Sequence, residues 1–227
     1  MKVVQRWVVC AVALALCSTV WGADELAAVF ARMDQVAPKF KGMRADMTRM
    51  SHVAVINEDT TDSGTVVVRV PKPHDYHMLI NFEKPDKKTV GIAGTVVQIF
   101  YPKAMEVQRK NLGKENKAVV EQFLKLGFGS NSKELRDSFT VSYVGEETVA
   151  GQKTARLALA PKSKDLAAMY PKIELWIADS GISIQQKIYE PGGNFTVATY
   201  PNMKMDPNIP ESAVKLKVPS GVTYRDL

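Results

Sequence analysis

Residues 64–71 read Gly-Thr-Val-Val-Val-Arg-Val-Pro, a β-branched run between a glycine and a proline. β-Branched side chains favour strands, and Gly and Pro at the two ends mark turns. Similar short apolar runs recur about every 10 residues, a spacing typical of antiparallel meanders. No repeat or low-complexity linker divides them. The pattern predicts one domain with roughly ten strands.

The stretches around this run predict its neighbours in the sheet. Met43, Ala45 and Met47 alternate with polar residues, which predicts a strand with one apolar face. Residues 57–64 are polar and predict a turn, and Ala-Gly at 93–94 predicts a tight hairpin. The last strand is expected at residues 214–218.

Two segments have helical periodicity. In residues 24–40, Leu26, Val29, Phe30 and Met33 recur at helical spacing, and residues 114–128 carry a second apolar stripe. Both lie beside or within the strand series instead of alternating with it, which disfavours a parallel α/β fold. The predicted fold class is mainly β with helices (α+β). We expect a curved antiparallel sheet or incomplete barrel with helices on one side or inside.

The N-terminus predicts export. Lys2 and Arg6 precede an apolar run of about 10 residues, too short for the ~20 of a membrane-spanning helix. Small residues then predict cleavage after Gly22 or Ala23, which makes residues 1–22 a signal peptide and residues 23–227 the mature domain. Lipidation at Cys17 is the alternative, although Leu16 is larger than a lipoprotein peptidase would favour.

Export narrows the chemistry of the mature chain. Both cysteines, Cys10 and Cys17, lie in the predicted signal peptide, so disulfides and thiol catalysis are excluded after cleavage. Loss of Lys2 and Arg6 lowers the net charge by two, from +6 to +4. No dense basic run with interleaved aromatic residues is present, which disfavours nucleic acid as a partner.

Motifs for catalysis or metal binding are also missing from the sequence. His74, Asp75 and His77 are the densest polar cluster, and in a strand only Asp75 and His77 would share a face. A metal site needs more converging ligands. Glu146 and Glu147 are expected to be solvated beside a turn. The sequence predicts no enzyme, no catalytic residue, no metal and no cofactor.

The order of several short motifs resembles the LolA family of periplasmic lipoprotein carriers. Gly64–Pro71 is similar to the family's strand that ends in Arg/Lys-x-Pro, and residues 81–85 (Asn-Phe-Glu-Lys-Pro) to its strand that ends in a Pro turn. Residues 94–102 (Gly-Thr-Val-Val-Gln-Ile-Phe-Tyr-Pro) look like its Gly-x-x-aromatic-x-Tyr-x-Pro strand, and residues 218–222 like its closing Pro-x-Gly-Val. The resemblance covers nearly the whole mature chain.

This resemblance implies an incomplete β-barrel closed by a helical lid around an apolar cavity. The cavity would shield the acyl chains of a lipoprotein, or a similar lipid, in the periplasm during transfer from inner to outer membrane. An inner-membrane ABC transporter and an outer-membrane acceptor are the implied protein partners, and we expect a monomer. The alternative is an envelope sensor or binding module of the same fold that acts through a protein partner.

Strand parity and the helical stripe select the residues expected to line this cavity. They are all apolar or aromatic side chains: Met43, Met47, Val68, Met78, Val97, Ile99, Tyr101, Val120, Phe123, Leu124, Leu175, Ile177 and Ile184. One departure concerns the lid. The resemblance implies an Arg directly before Pro71, where this chain has Val70, with Arg69 one residue earlier. A one-residue offset in a strand turns the side chain to the other face.

Overall fold

The computed structural model describes residues 18–113 and 124–227, with side chains from residue 23. These residues form three α-helices: α1 (Ser18–Val36), α2 (Ser132–Ser138) and α3 (Lys164–Met169). The first six strands are β1 (Gly42–Val53), β2 (Glu58–Arg69), β3 (His77–Lys84), β4 (Lys88–Ala93), β5 (Val96–Tyr101) and β6 (Glu106–Asn111). The remaining seven are β7 (Phe139–Val149), β8 (Gln152–Pro161), β9 (Lys172–Ala178), β10 (Ser183–Tyr189), β11 (Phe195–Thr199), β12 (Lys204–Met205) and β13 (Thr223–Asp226).

All thirteen strands belong to one sheet. Its order is β13-β6-β5-β4-β3-β2-β1-β11-β10-β9-β8-β7, and β12 pairs with the start of β1. Every pairing is antiparallel except that of β13 with β6. Strands β7 and β13 stand at opposite ends of this order and do not pair with each other, so the sheet is curved and unclosed. The predicted mainly β, incomplete-barrel fold class is confirmed.

Residues 64–69 of this run form the second half of β2, between β1 and β3, and Val70 follows the end of the strand. The prediction of a turn over residues 57–64 was wrong, because β2 begins at Glu58 and the turn lies at 54–57. Asn57 closes that turn with φ of 49°, a conformation that Asn tolerates well. The outer part of the β1–β2 hairpin is largely exposed, so its strands have no face to bury in the core. Its sequence is therefore polar throughout and lacks the apolar alternation by which a strand is predicted.

The C-terminal prediction also needs correction. Residues 214–218 form no strand; instead Val214 is buried and Leu216 packs against Gly91 on one face of the sheet. The last strand is β13, which pairs with β6. The alternating apolar residues at 214–218 therefore pack onto a face of the sheet and do not pair as one of its strands. The same apolar alternation occurs in both cases, so the sequence pattern does not separate them.

The N-terminal helix is confirmed, although α1 begins at Ser18 and gives way to a single 3₁₀ turn at Ala37–Lys39. Val29, Phe30 and Met33 of the predicted stripe are buried. Of the second predicted helix, residues 114–123 lie outside the described residues, and 124–125 are helical before a turn at 126–129. Within the described parts of the chain, no helix combines the length and apolarity needed to cross a membrane.

Candidate functional site

Two rows of apolar side chains cross one face of β1–β5, here called the inner face. Cross-strand register places five side chains opposite one another in each row. The first row is Met43, Val68, Met78, Ile92 and Val97, and the second is Ala45, Val66, Ile80, Val90 and Ile99. Neighbouring strands are about 4.8 Å apart, so each row spans about 19 Å of continuous apolar surface.

Burial changes along both rows. Met43 and Val68 at the β1–β2 side are fully buried, whereas Val97 and Ile99 on β5 are only partly buried. Ile80, Val90 and Ile92, on β3 and β4, are likewise only partly buried and pack against the buried cluster beside them. The β3–β5 part of the inner face thus presents contiguous aliphatic side chains to its surroundings. Contiguous apolar surface that the protein leaves partly accessible commonly marks a binding site.

The other half of the sheet is packed closed. Val29, Phe30 and Met33 of α1 share a cluster with side chains of β8 and β9 that are inaccessible to solvent. Leu175 and Ile177 belong to that cluster, not to the one that contains Met43 and Met47. Ile184 lies in a third cluster with Trp176 and Ala178, which alternate with Leu175 and Ile177 along β9. A register irregularity between Ser183 and Gln185 accompanies this change of face.

The remaining predicted residues divide by position. Met47, Met78 and Leu124 join the buried cluster of the two rows. Tyr101 continues the inner face of β5 into a cleft of about 520 Å³ that Lys88 and Glu106 also line. Val120 and Phe123 lie outside the described residues. Ile80, Val90 and Ile92 were not predicted, although each lies two residues from another inner-face position, and strand parity alone could have identified them.

A charged group closes the inner face at the end of the sheet where the β1–β2 turn lies, here called the upper end. Asp62 accepts hydrogen bonds from Arg49 Nε at 3.1 Å and Lys88 Nζ at 3.1 Å. Both cations also lie over the ring of Phe82, 4.7 and 4.9 Å from its centroid. Burial raises the pKa of Asp62, but the hydrogen bonds from Arg49 and Lys88 outweigh it, so the net pKa is lowered. The apolar rows therefore end at a compensated ionic cluster.

At the lower end, the Pro71 region has the geometry that the one-residue offset predicts. Val70 is buried in the inner-face cluster and its N–H donates to Lys41 O at 2.8 Å. Arg69 faces the other way, and its Nε donates to the carbonyl oxygen of Ile209 at 3.0 Å. Arg69 thus secures the C-terminal segment and does not reach the inner face. A cleft of about 530 Å³ opens nearby, lined by Phe40, Tyr76 and other residues.

His77 Nε2 lies 3.0 Å from Asp75 Oδ1, as shared placement on one face predicts, while His74 is exposed with φ of 63°. Residues 18–113 and 124–227 hold no group of three His, Cys, Asp or Glu side chains that could bind a metal. Glu146 and Glu147 are exposed beside the β7–β8 turn, as expected, and Glu147 also accepts a hydrogen bond from Trp176 Nε1 at 2.7 Å.

No protein-family model and no curated protein matches the sequence significantly, whereas solved structures do. An uncharacterized conserved protein from Thermus thermophilus matches 89% of this chain and 99% of its own, at 12% identity and a TM-score of 0.53. MucB matches 86% of this chain at 13% identity and a TM-score of 0.51. This chain spans 63% of MucB, which has also been solved in complex with MucA from Pseudomonas aeruginosa.

A LolA superfamily protein from Nitrosomonas europaea matches 83% of this chain and 96% of its own, at 10% identity and a TM-score of 0.40. At such identities a likeness concerns the fold alone. The unclosed antiparallel sheet with a helix packed on its inner face is the architecture that the sequence resemblance implies. The fold itself is shared with the Thermus thermophilus protein and with MucB.

Proposed function

We propose that the inner face of β3–β5 binds the acyl chains of a lipoprotein or a similar lipid. The observation that carries this proposal is the set of contiguous, partly exposed aliphatic side chains at the end of the two rows: Ile80, Val90, Ile92, Val97 and Ile99. Each CH₂ group that leaves water contributes about 0.8 kcal/mol. An acyl chain laid across these strands would cover apolar surface that the protein itself leaves partly open.

The biological role we infer is that of a periplasmic carrier between the inner and outer membranes. Exposing each CH₂ group of an acyl anchor to water costs free energy, so the anchor must be shielded while it crosses the periplasm. Binding to the carrier must still be weak enough to allow release. The role supposes that residues 1–22 are removed as a signal peptide, that the 23–227 domain acts as a monomer, and that it performs no covalent chemistry. An inner-membrane ABC transporter would load it and an outer-membrane acceptor would unload it. N-terminal sequencing of the exported protein should begin at Ala23 or Asp24.

Adjacent valines on β5 offer a matched test of the binding face. Val97 lies on the inner face opposite Ile92, whereas Val96 points to the other side, and both are partly buried. Val97→Asp should weaken binding of a fluorescent fatty-acid probe about tenfold or more, because the new carboxylate would be buried against the acyl chain of the probe. Val96→Asp should bind like the wild type. Equal binding by both variants would contradict the assigned face.

Lipid extraction of the purified protein, followed by mass spectrometry, tests the cargo directly. We expect acyl-containing molecules to co-purify, and the fatty-acid probe to compete with them for one site. Absence of bound lipid together with absence of probe binding would overturn the proposal.

The second candidate, a sensor or binding module that acts through a protein partner, is supported by the fold shared with MucB, a protein also solved bound to MucA. A pull-down separates the two roles. Recovery of a membrane signalling protein, in place of lipoproteins and an export transporter, would favour the sensor.

A further inference from the structure

The tip of the β1–β2 hairpin exposes apolar side chains where the chain turns. Val55 is 89% exposed, Ile56 63% and Val53 40%. They are consecutive or nearly so, and they occupy the end of a two-stranded ribbon, away from the clusters that form the core. Burial within this chain therefore gives no reason for their apolar character. Large apolar side chains grouped on a projecting turn point to an external apolar phase.

Register shows how far the hairpin projects. The last pair between β2 and β3 is Ser63 with Lys84, whereas β1 and β2 remain paired out to Val53 and Glu58. The five β2 residues from Glu58 to Asp62 thus extend beyond β3, about 16 Å at 3.3 Å per residue. On its other side the ribbon is supported as far as His52, whose ring stacks on Phe195 with centroids 4.7 Å apart.

The tip is also held in a defined conformation. The Ala54 N–H donates to Asn194 Oδ1 at 2.9 Å, and the Asn57 N–H donates to Ala54 O at 3.2 Å. These bonds join the tip to the β10–β11 connection and close the turn. They also satisfy peptide groups internally, which lowers the cost of moving the turn out of water.

We propose that this tip, residues 53–56, is a contact surface for the lipid bilayer, into which Val55 and Ile56 insert at the interface. A protein partner would need roughly 800 Å² from each side for a standard interface, which a narrow turn with three apolar side chains does not offer. Binding to a bilayer does not require a contact area of that size, because a few apolar side chains can insert into the headgroup region of the lipid.

Charges around the tip define the kind of contact. Lys84 ends β3 at the same end of the sheet, and Lys87 and Lys103 lie on the β3–β4 and β5–β6 connections. Lys87 is paired to Glu83 and Lys103 to Asp86. The hairpin itself carries Glu58 and Asp59, and Asp59 Oδ1 lies 2.7 Å from His52 Nδ1. These charges largely compensate one another. Insertion should therefore depend on apolar burial, occur on zwitterionic lipid, and persist at high ionic strength.

The proposal goes beyond acyl-chain binding and does not depend on it, because the tip shares no residue with the two inner-face rows. The upper end nevertheless holds both the tip and the cleft lined by Tyr101, next to the inner face. Contact through the tip would bring that cleft towards the membrane surface.

Flotation of the purified protein with phosphatidylcholine vesicles tests the tip. We expect the double variant Val55→Asp/Ile56→Asp to lower the vesicle-bound fraction about tenfold or more, since burial of even one such side chain is worth that much. The matched control is Val144→Asp, at an exposed valine (49%) on the distant edge strand β7. It should float like the wild type, in low and high salt alike.

Two results would overturn the proposal: no flotation of the wild type, or equal flotation of the double variant. Loss of a co-purifying protein from the double variant, with unchanged flotation, would show a protein-binding tip instead. Fatty-acid binding, measured on the same samples, should be unaffected by the tip substitutions. A negative result for membrane contact through the tip is therefore distinguishable from a negative result for acyl-chain binding, which the Val97→Asp variant tests.

Discussion

Replacement of Glu174 by Gln should destabilise the fold markedly. The side chain of Glu174 is 1% exposed, yet Arg156 Nη2 donates to its two carboxylate oxygens at 2.9 and 3.0 Å. Tyr189 OH donates at 2.9 Å, and Lys172 Nζ lies at 2.7 Å. Burial raises the pKa of Glu174, but the hydrogen bonds from Lys172, Arg156 and Tyr189 outweigh it, and the net pKa is lowered. The folded protein therefore holds this carboxylate charged.

The loss of stability in Glu174→Gln depends on the interactions that Arg156 and Lys172 keep when the carboxylate is gone. Removal of one member of a buried ion pair typically costs about 3–5 kcal/mol. Arg156 would keep a hydrogen bond to Glu147 Oε1 at 2.6 Å, and the side chain of Lys172 is 45% exposed and can turn to water. These two alternatives place Glu174→Gln near the lower limit, at about 3 kcal/mol. The melting temperature should then fall by about 6–12 °C for a domain of this size.

Urea unfolding at neutral pH measures this change, with the buried Trp176 as an intrinsic fluorescence reporter. The midpoint should fall while the slope stays constant. The control is Glu106→Gln, because Glu106 is a partly buried acid on β6 that accepts a hydrogen bond from the neutral Gln108 Nε2 at 2.9 Å. Its stability should change by less than about 0.5–1 kcal/mol.

The same unfolding measurements at low pH give a second test of the role of Glu174. A carboxylate whose pKa is lowered by folding contributes stability above its unfolded pKa and loses it as the pH falls through the folded pKa. The difference between the wild type and Glu174→Gln should therefore shrink in acid. Equal stability of Glu174→Gln and the control at neutral pH would refute the conclusion that this buried cluster stabilises the fold.

Two further substitutions test the upper end of the inner face. A Cβ added at Gly64 would lie 1.8 Å from the carbonyl oxygen of Asn81, so Gly64→Ala should cost about 3 kcal/mol or more in urea unfolding. Asp62→Asn removes the negative charge that Arg49 and Lys88 share and should cost about 1.5–3 kcal/mol at neutral pH. Because the pKa of Asp62 is lowered in the fold, this second loss should fade as the pH falls through that pKa.

Strand parity can be compared with the cross-strand register. Met43, Val68, Met78 and Val97 occupy one cross-strand row, as alternation along each strand requires. Parity failed to place Ile184, because a register irregularity in β10 changes the face and leaves no mark in the apolar pattern. The buried acid Glu174 was likewise missed, since its compensating Arg156 and Tyr189 are distant in sequence and adjacent only in the sheet.

Sequence also could not show which half of the inner face the protein covers. Leu175 and Val97 are both aliphatic residues on β-strands, yet Leu175 is fully buried and Val97 only partly. The difference depends on where α1 lies, because Phe30 and Met33 pack onto the β8–β9 half. That half and α1 form a closed core whose central side chains are inaccessible to solvent. In the opposite half, only the β3–β5 part leaves its aliphatic side chains partly open. This is the surface that an acyl chain would cover under the proposed function.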